Sequence, residues 1–196
     1  DGIKPEFVDY GGNLVFSGLQ NLRRIQKDNG TSVMSFSREP LQRLFAYDVG
    51  SSFASPRIAR IAAIVWHRLR NQLDRDPDPN LVRAVLATAA IVPEEAQDCL
   101  TVVQDHAIVK ACGYGVLDEE LALESADRRV TLIAQGEVQL DRFVIYEVPI
   151  PPEFVNAQGV KRITVGLAFD PPVRRRRQEY LGVHMNFDMI RGKTLD

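Results

Sequence analysis

With 196 residues, 45% of them hydrophobic and 26% charged, the chain has the length and balance of one ordinary globular domain or two small ones. A formal net charge of -2 excludes a global positive field for nucleic acid or anionic membrane, and no apolar run approaches the roughly 18 residues that span a bilayer. Cys99 and Cys112 are too few for a disulfide framework; free thiols are expected, and with an opening "DGIKPEF" that lacks a secretory leader they lean towards a cytoplasmic setting.

In chain order, "PEFVDYGGNLVF" places two short apolar pieces around Gly11-Gly12 and predicts strand, turn, strand. Residues 19–27 have the spacing of a short amphipathic helix. Asn29-Gly30 turns into a strand at Ser32–Phe36, and residues 38–46 add a helical turn. The strongest helix spans about Ser55–Leu73, where Ile58, Ile61, Ala62, Val65 and Leu69 recur at helical spacing. Pro56 suits a first turn, where its missing N–H costs nothing, and Ala54, Ala59, Ala62 and Ala63 keep the helix thin. "DRDPDPN" stops it; its alternating Asp74, Asp76 and Asp78 lack the Gly and distal Glu of a calcium loop. A second helix is expected over about Pro79–Ile91, capped by Asn80. "PEEAQDCLTVVQDHAIVKACGYG" reads as a short helix or turn with an extended piece, and "GVLDEELALES" as a short helix.

Near residue 128 the pattern changes. "RRVTLIAQGEVQLDRFVIYEVPIP", "KRITVGLAFD" and "GVHMNFDMIRG" alternate and are rich in Val, Ile, Phe and Tyr. Gly136, Pro149, Pro151, Pro152, Gly159, Pro171 and Pro172 punctuate them. A small antiparallel β-rich domain is expected over 128–196, with Phe143 and Tyr146 in its core. "RRRR" at 174–177, before Tyr180, reads as a solvated loop rather than a phosphate site.

The stretch that bears on chemistry is Gly50-Ser51-Ser52-Phe53-Ala54-Ser55-Pro56, a small-residue turn opening directly into the long helix. A hydroxyl there sits over a helix N-terminus, where free N–H groups and partial positive charge favour an oxyanion. By position alone two readings stand: Ser52 or Ser55 as a simple N-cap, or Ser52 as a nucleophile.

"GSSFASP" resembles the nucleophile motif of the subtilisin-like serine proteases (subtilases), usually Gly-Thr-Ser, then Met or Phe, Ala, a small residue and Pro. Ser52 stands at the nucleophile, Ser51 where Thr is usual, and Arg57 where His is frequent. Upstream, "GIKPEFVDYGG" is similar to the family's Lys-Pro-Asp strand, with Glu6 for Asp and Asp9-Tyr10 for Ala-Pro. "NLVRAVLATAA" resembles the helix after the serine helix, and "GYGVLDEELAL" the Gly-x-Gly close of the catalytic domain. These four landmarks cover about residues 2–125. The resemblance implies an α/β fold: the C-terminal part of a subtilisin-like parallel-sheet catalytic domain over 1–127, then the β-rich domain over 128–196. It implies Ser52 as catalytic nucleophile and, through its backbone N–H, as oxyanion donor, with Gly50, Ser51, Phe53, Ala54, Ser55 and Pro56 supporting the turn.

The family's triad follows the chain order Asp, His, Ser. Its Asp and His motifs, and the oxyanion Asn, belong upstream of the Lys-Pro strand. Three histidines are present here. His67 lies 15 residues beyond Ser52, about 22 Å along a continuous helix, where a general base must be within roughly 3 Å. His106 and His184 lack the His-Gly-Thr context. The expectation is a serine endopeptidase that is inactive as this chain alone and needs no metal or other cofactor. Its partners are a peptide or protein substrate and the upstream part of the catalytic domain. Exposed edges invite a second copy; nucleic acid and membrane are not expected. The rival reading is a non-catalytic binding or oligomerisation module on a subtilase remnant. A third has the base supplied by a separate polypeptide.

Overall fold

Short apolar runs joined by short turns favour hairpins, because antiparallel pairing needs only a tight connection while parallel pairing needs a crossover of a dozen residues or more. The computed structural model describes residues 3–17, 24–101, 106–123, 129–172 and 182–190, and its first two sheets follow that rule. Strand β1 (Leu14–Ser17) pairs antiparallel with β2 (Arg24–Lys27), Leu14 opposite Lys27. Strand β3 (Val33–Phe36) pairs with β4 (Phe45–Asp48), Val33 opposite Asp48. Then come helix α1 (Ser51–Leu73), α2 (Pro79–Thr88), β5 (Ala90–Ile91), α3 (Glu94–Thr101), α4 (Ala107–Cys112), β6 (Val116–Leu117) and α5 (Glu119–Leu123). Strands β5 and β6 form a third antiparallel pair. Among the described residues no parallel sheet forms, which corrects the expected architecture; the parallel contact present is an isolated bridge from Val8 to Val116.

The core sits where α1 crosses α2. Ile61, Val65 and Leu69, four apart on one face of α1, are buried against Leu81, Val82 and Leu86 of α2 and Leu117 of β6. Phe7, Ile58, Ala62, Trp66 and Val85 pack around them. Arg70 lies 5.3 Å from the centroid of the Trp66 ring, covering its outer face. Arg60 holds α5 to α1 through a two-pronged bond to the Glu119 carboxylate at 2.8 and 3.1 Å. Asp74, left-handed at φ 53, ends α1, and the Asp78 side chain accepts from the Asn80 N–H at 2.8 Å to cap α2. Asp78, not Asn80, is therefore the cap, since Pro79 follows it at the first helical position. That helix ends at Thr88, and Ala90–Ile91 turn into β5.

Two further expectations change. Residues 24–27 are strand β2, not helix, because Ile25 and its neighbours find hydrogen-bonding partners on β1; the start of the expected helix, 19–23, lies outside the described residues. Over 38–46 the expected helical turn is limited to Glu39–Arg43, where the N–H groups of Gln42 and Arg43 close on the Glu39 carbonyl at the hairpin tip, and Phe45-Ala46 belong to β4 instead.

The region after residue 128 departs most. Residues 130–150 are exposed and make no strand pairing, with a turn at Leu140-Asp141 where Asp141 is left-handed at φ 56, and Pro152–Asn156 form a short helix, α6. No paired strand occurs among the described residues from 129 on, and Phe143 and Tyr146 are exposed rather than core. Alternation specifies extended backbone; a sheet also needs a partner about 4.8 Å away. The region does touch the helices: the Arg75 guanidinium donates to the Gln135 side chain at 3.0 Å, and Gly166 lies directly over Ala84 and Thr88 of α2. "RRRR" at 174–177 lies outside the described residues.

Candidate active site

Helix α1 begins four residues earlier than its apolar spacing indicates, at Ser51, with Gly50 as the cap residue. This moves Pro56 from the first turn to the second. There it has no N–H to give the carbonyl of residue i-4, which is that of Ser52. The first turn is thus loosened at the serine itself. Ser51 and Ser52 are exposed, Phe53 and Ala54 half-buried, and Ser55 and Pro56 exposed. The Ser55 hydroxyl donates back to the Ser51 carbonyl at 3.2 Å, so Ser55 does not cap the helix. Gly50 has no side chain with which to cap, and the first turn carries no acidic residue. The Phe53 N–H donates to the Gly50 carbonyl at 3.1 Å. Among the described residues, the backbone N–H groups of Ser51 and Ser52 and the Ser52 hydroxyl have no hydrogen-bond partner. An exposed hydroxyl beside two unengaged N–H groups at the positive end of a helix is an arrangement that can receive an oxyanion.

The turn is placed by the segment that precedes β1. The Gly50 N–H donates to the Gly11 carbonyl at 2.8 Å. A Cβ on Gly11 would sit 2.7 Å from the Gly50 oxygen, so only glycine permits this approach. Two positions from this segment, Asp9 Oδ2 accepts from Arg57 Nε of α1 at 2.8 Å. The Asp9 side chain is only 9% exposed beneath an Arg57 that is 63% exposed. Asp9 Oδ1 accepts from the Tyr10 N–H at 2.6 Å, and the Tyr10 hydroxyl donates to the Thr31 carbonyl at 3.1 Å. Lys27 of β2 pairs with Asp48 of β4 just before the turn, and this contact, with the Val49 N–H, holds the Asp48 carboxyl below its ordinary range. The one signal for the Asp9–Arg57 pair in the sequence is that both positions depart from the subtilase pattern, and with opposite charges.

No histidine hydrogen-bonds to Ser52 among the described residues. His67 is exposed on the same unbroken helix, its ring bonded to the Asn71 side chain at 3.3 Å. His106 is exposed in a left-handed conformation ahead of α4, and His184 is exposed on a stretch without helix or strand. No group of three or more His, Cys, Asp or Glu side chains suited to a metal occurs among the described residues, and Cys99 and Cys112 are free. Two cavities among the described residues lie toward the far end of α1. One of about 60 Å³ is lined by Val65, Leu69, Val85 and Ile133, and a polar one of about 430 Å³ by Arg70, Asn71 and Asp74–Asp76.

Comparison with known proteins bears on this geometry. An uncharacterized protein, y4bN, of Sinorhizobium fredii (strain NBRC 101917 / NGR234) is 38% identical over 192 residues, which is 97% of this chain and 43% of that protein. The chain therefore spans less than half the length of that relative. No solved structure matches. Residues 1–115, from the Lys-Pro segment through α1 and α2 to the glycines before β6, match the subtilase (Peptidase S8) profile, and the chain belongs to the subtilase family.

Proposed function

We propose that this chain is the nucleophile-bearing C-terminal part of a subtilisin-like serine endopeptidase, with Ser52 as nucleophile. The observation that carries the reading is the exposed, unpartnered Ser52 hydroxyl at the N-terminus of α1, inside the region that matches the family. Ser52 Oγ forms a bond to the scissile carbonyl carbon while its proton passes to a histidine base. The carbonyl oxygen becomes an oxyanion, held by the Ser52 N–H and by an Asn side chain. Collapse breaks the C–N bond, the amine leaves with the base's proton, and water then hydrolyses the acyl-enzyme. Base, orienting Asp and Asn belong to upstream sequence of the kind that would precede the Lys-Pro segment. Gly50, Ser51, Phe53, Ala54, Ser55 and Pro56 shape the turn, and no metal or cofactor takes part.

A second reading, a binding or oligomerisation module, is favoured by the apolar surface left open on the hairpins, where Phe36, Leu41, Leu44 and Phe45 are all exposed. Labelling with a fluorophosphonate separates the two. The expected result is no labelling of this chain alone, labelling when the longer upstream sequence is present, and loss of that labelling in Ser52→Ala. Labelling of neither form removes the nucleophile and leaves the module reading.

A further inference from the structure

The nucleophile turn has little local support. Its cap residue has no side chain, its first turn has no acidic residue, and Pro56 withholds an N–H from the Ser52 carbonyl. Its setting depends on tertiary contacts, and two of them come from one short segment. The Gly11 carbonyl receives the Gly50 N–H, and the Asp9 carboxylate receives Arg57, five residues beyond Ser52. One contact grips the turn before the serine; the other grips the helix just after the point where Pro56 weakens it. The segment that makes them is itself fixed, because Tyr10 reaches the Thr31 carbonyl.

We propose that Asp9 is a positioning residue for Ser52. Through Arg57 it sets the rotation of the first two turns of α1, and with it the aim of the Ser52 hydroxyl and N–H groups. An exposed ion pair contributes little. This one differs in that the Asp9 carboxylate is almost covered and both its oxygens are engaged, one by Arg57 and one by the Tyr10 N–H. Losing Arg57 would take from that carboxylate its charged partner and the side chain that lies over it; losing Asp9 would free the guanidinium and release the second turn. The two positions act as a unit in which each is useful only with the other. The inference rests on Ser52 being the nucleophile.

The test uses the full-length protein and a fluorophosphonate at varied concentration, which separates the saturating acylation rate from the half-saturating concentration. Amide exchange over residues 50–57 is followed in the same variants. Asp9→Ala is expected to lower the saturating rate about tenfold and leave the half-saturating concentration within about twofold, because aim is lost and binding is not. Exchange over 50–57 should quicken by a similar factor. Arg57→Ala should match it, the double variant should lose no more than either single one, and Asp9→Asn, which keeps an acceptor oxygen, should retain most of the rate. Single variants within twofold of the unmodified protein in both readouts, or losses that multiply in the double variant, overturn the proposal. If the unmodified protein is not acylated at all, the nucleophile reading fails, and the exchange readout alone decides whether Asp9 holds the turn.

Discussion

Residues 51–123 and residues 129–190 are similarly rich in aliphatic side chains, yet they bury them in opposite ways. Every buried apolar residue among those described lies between Ile61 and Leu117, whereas Val130, Leu132, Leu140, Phe143, Val144 and Ile145 are all exposed. A helix satisfies its own backbone and needs only one partner for its apolar stripe, and α1 finds it in α2 a few residues later. An extended segment satisfies nothing by itself and needs a neighbour on each edge. The first region carries both members of its packing pair; the second lies over the helices without pairing. The serine turn at the start of α1 stands between these cases, helical in form but contacted by Asp9 and Gly11.

The largest test of the contrast compares the core with the hairpin tip. Leu69→Ala should destabilise the folded chain by about 2–5 kcal/mol, since it empties a site closed by α2. Leu41→Ala, at a fully exposed position, should change stability by less than about 0.5 kcal/mol. Denaturant melts of the two variants decide it, and a large loss at Leu41 would mean that the tip is covered by something in solution.

A smaller effect is expected where the two regions meet. A Cβ at Gly166 would lie 2.7 Å from Thr88 Cγ2 and 2.9 Å from the Ala84 carbonyl oxygen, so Gly166→Val should cost about 1–3 kcal/mol through overpacking against α2. An unchanged melt would show that the 163–168 stretch does not rest on α2 in solution, and the contrast between the regions would sharpen into independence.

The smallest effect concerns acid sensitivity. Partial burial pushes the Glu6 carboxyl up, but bonds from Arg83 and Lys4 outweigh that and hold it below its ordinary value of 4.5. A carboxylate depressed in the folded state contributes stability that is fully present above its unfolded pKa. That contribution is lost as pH falls from about 4.5 through the lower folded value. Glu6→Gln should therefore lower the melting temperature slightly at neutral pH and converge with the unmodified protein in acid. Parallel curves at all pH values would show that the Glu6–Arg83 contact does not tie the N-terminal segment to α2.

The legible part of the fold was the part built from local periodicity. Ile61, Val65 and Leu69 announced their face of α1 by spacing, and the same spacing located α2. The start of α1 was less legible, because Pro56 looks like a first-turn residue until Gly50 is seen capping the helix six residues before it. Of the candidate site, the residues of the turn were readable from "GSSFASP" by resemblance, while Asp9 and Gly11 were not, since nothing local ties residue 9 to residue 57 across 48 positions.

By itself, then, the sequence determined the helical pair, the turn at Asn29-Gly30 and the serine at the mouth of α1. All of these depend on neighbours within a few residues. Only the tertiary structure decided which strands pair, that the apolar C-terminal stretches stay open, and that a carboxylate and a glycine carbonyl from the start of the chain hold the serine turn. Those outcomes depend on groups far apart in sequence, and local periodicity carries no record of them.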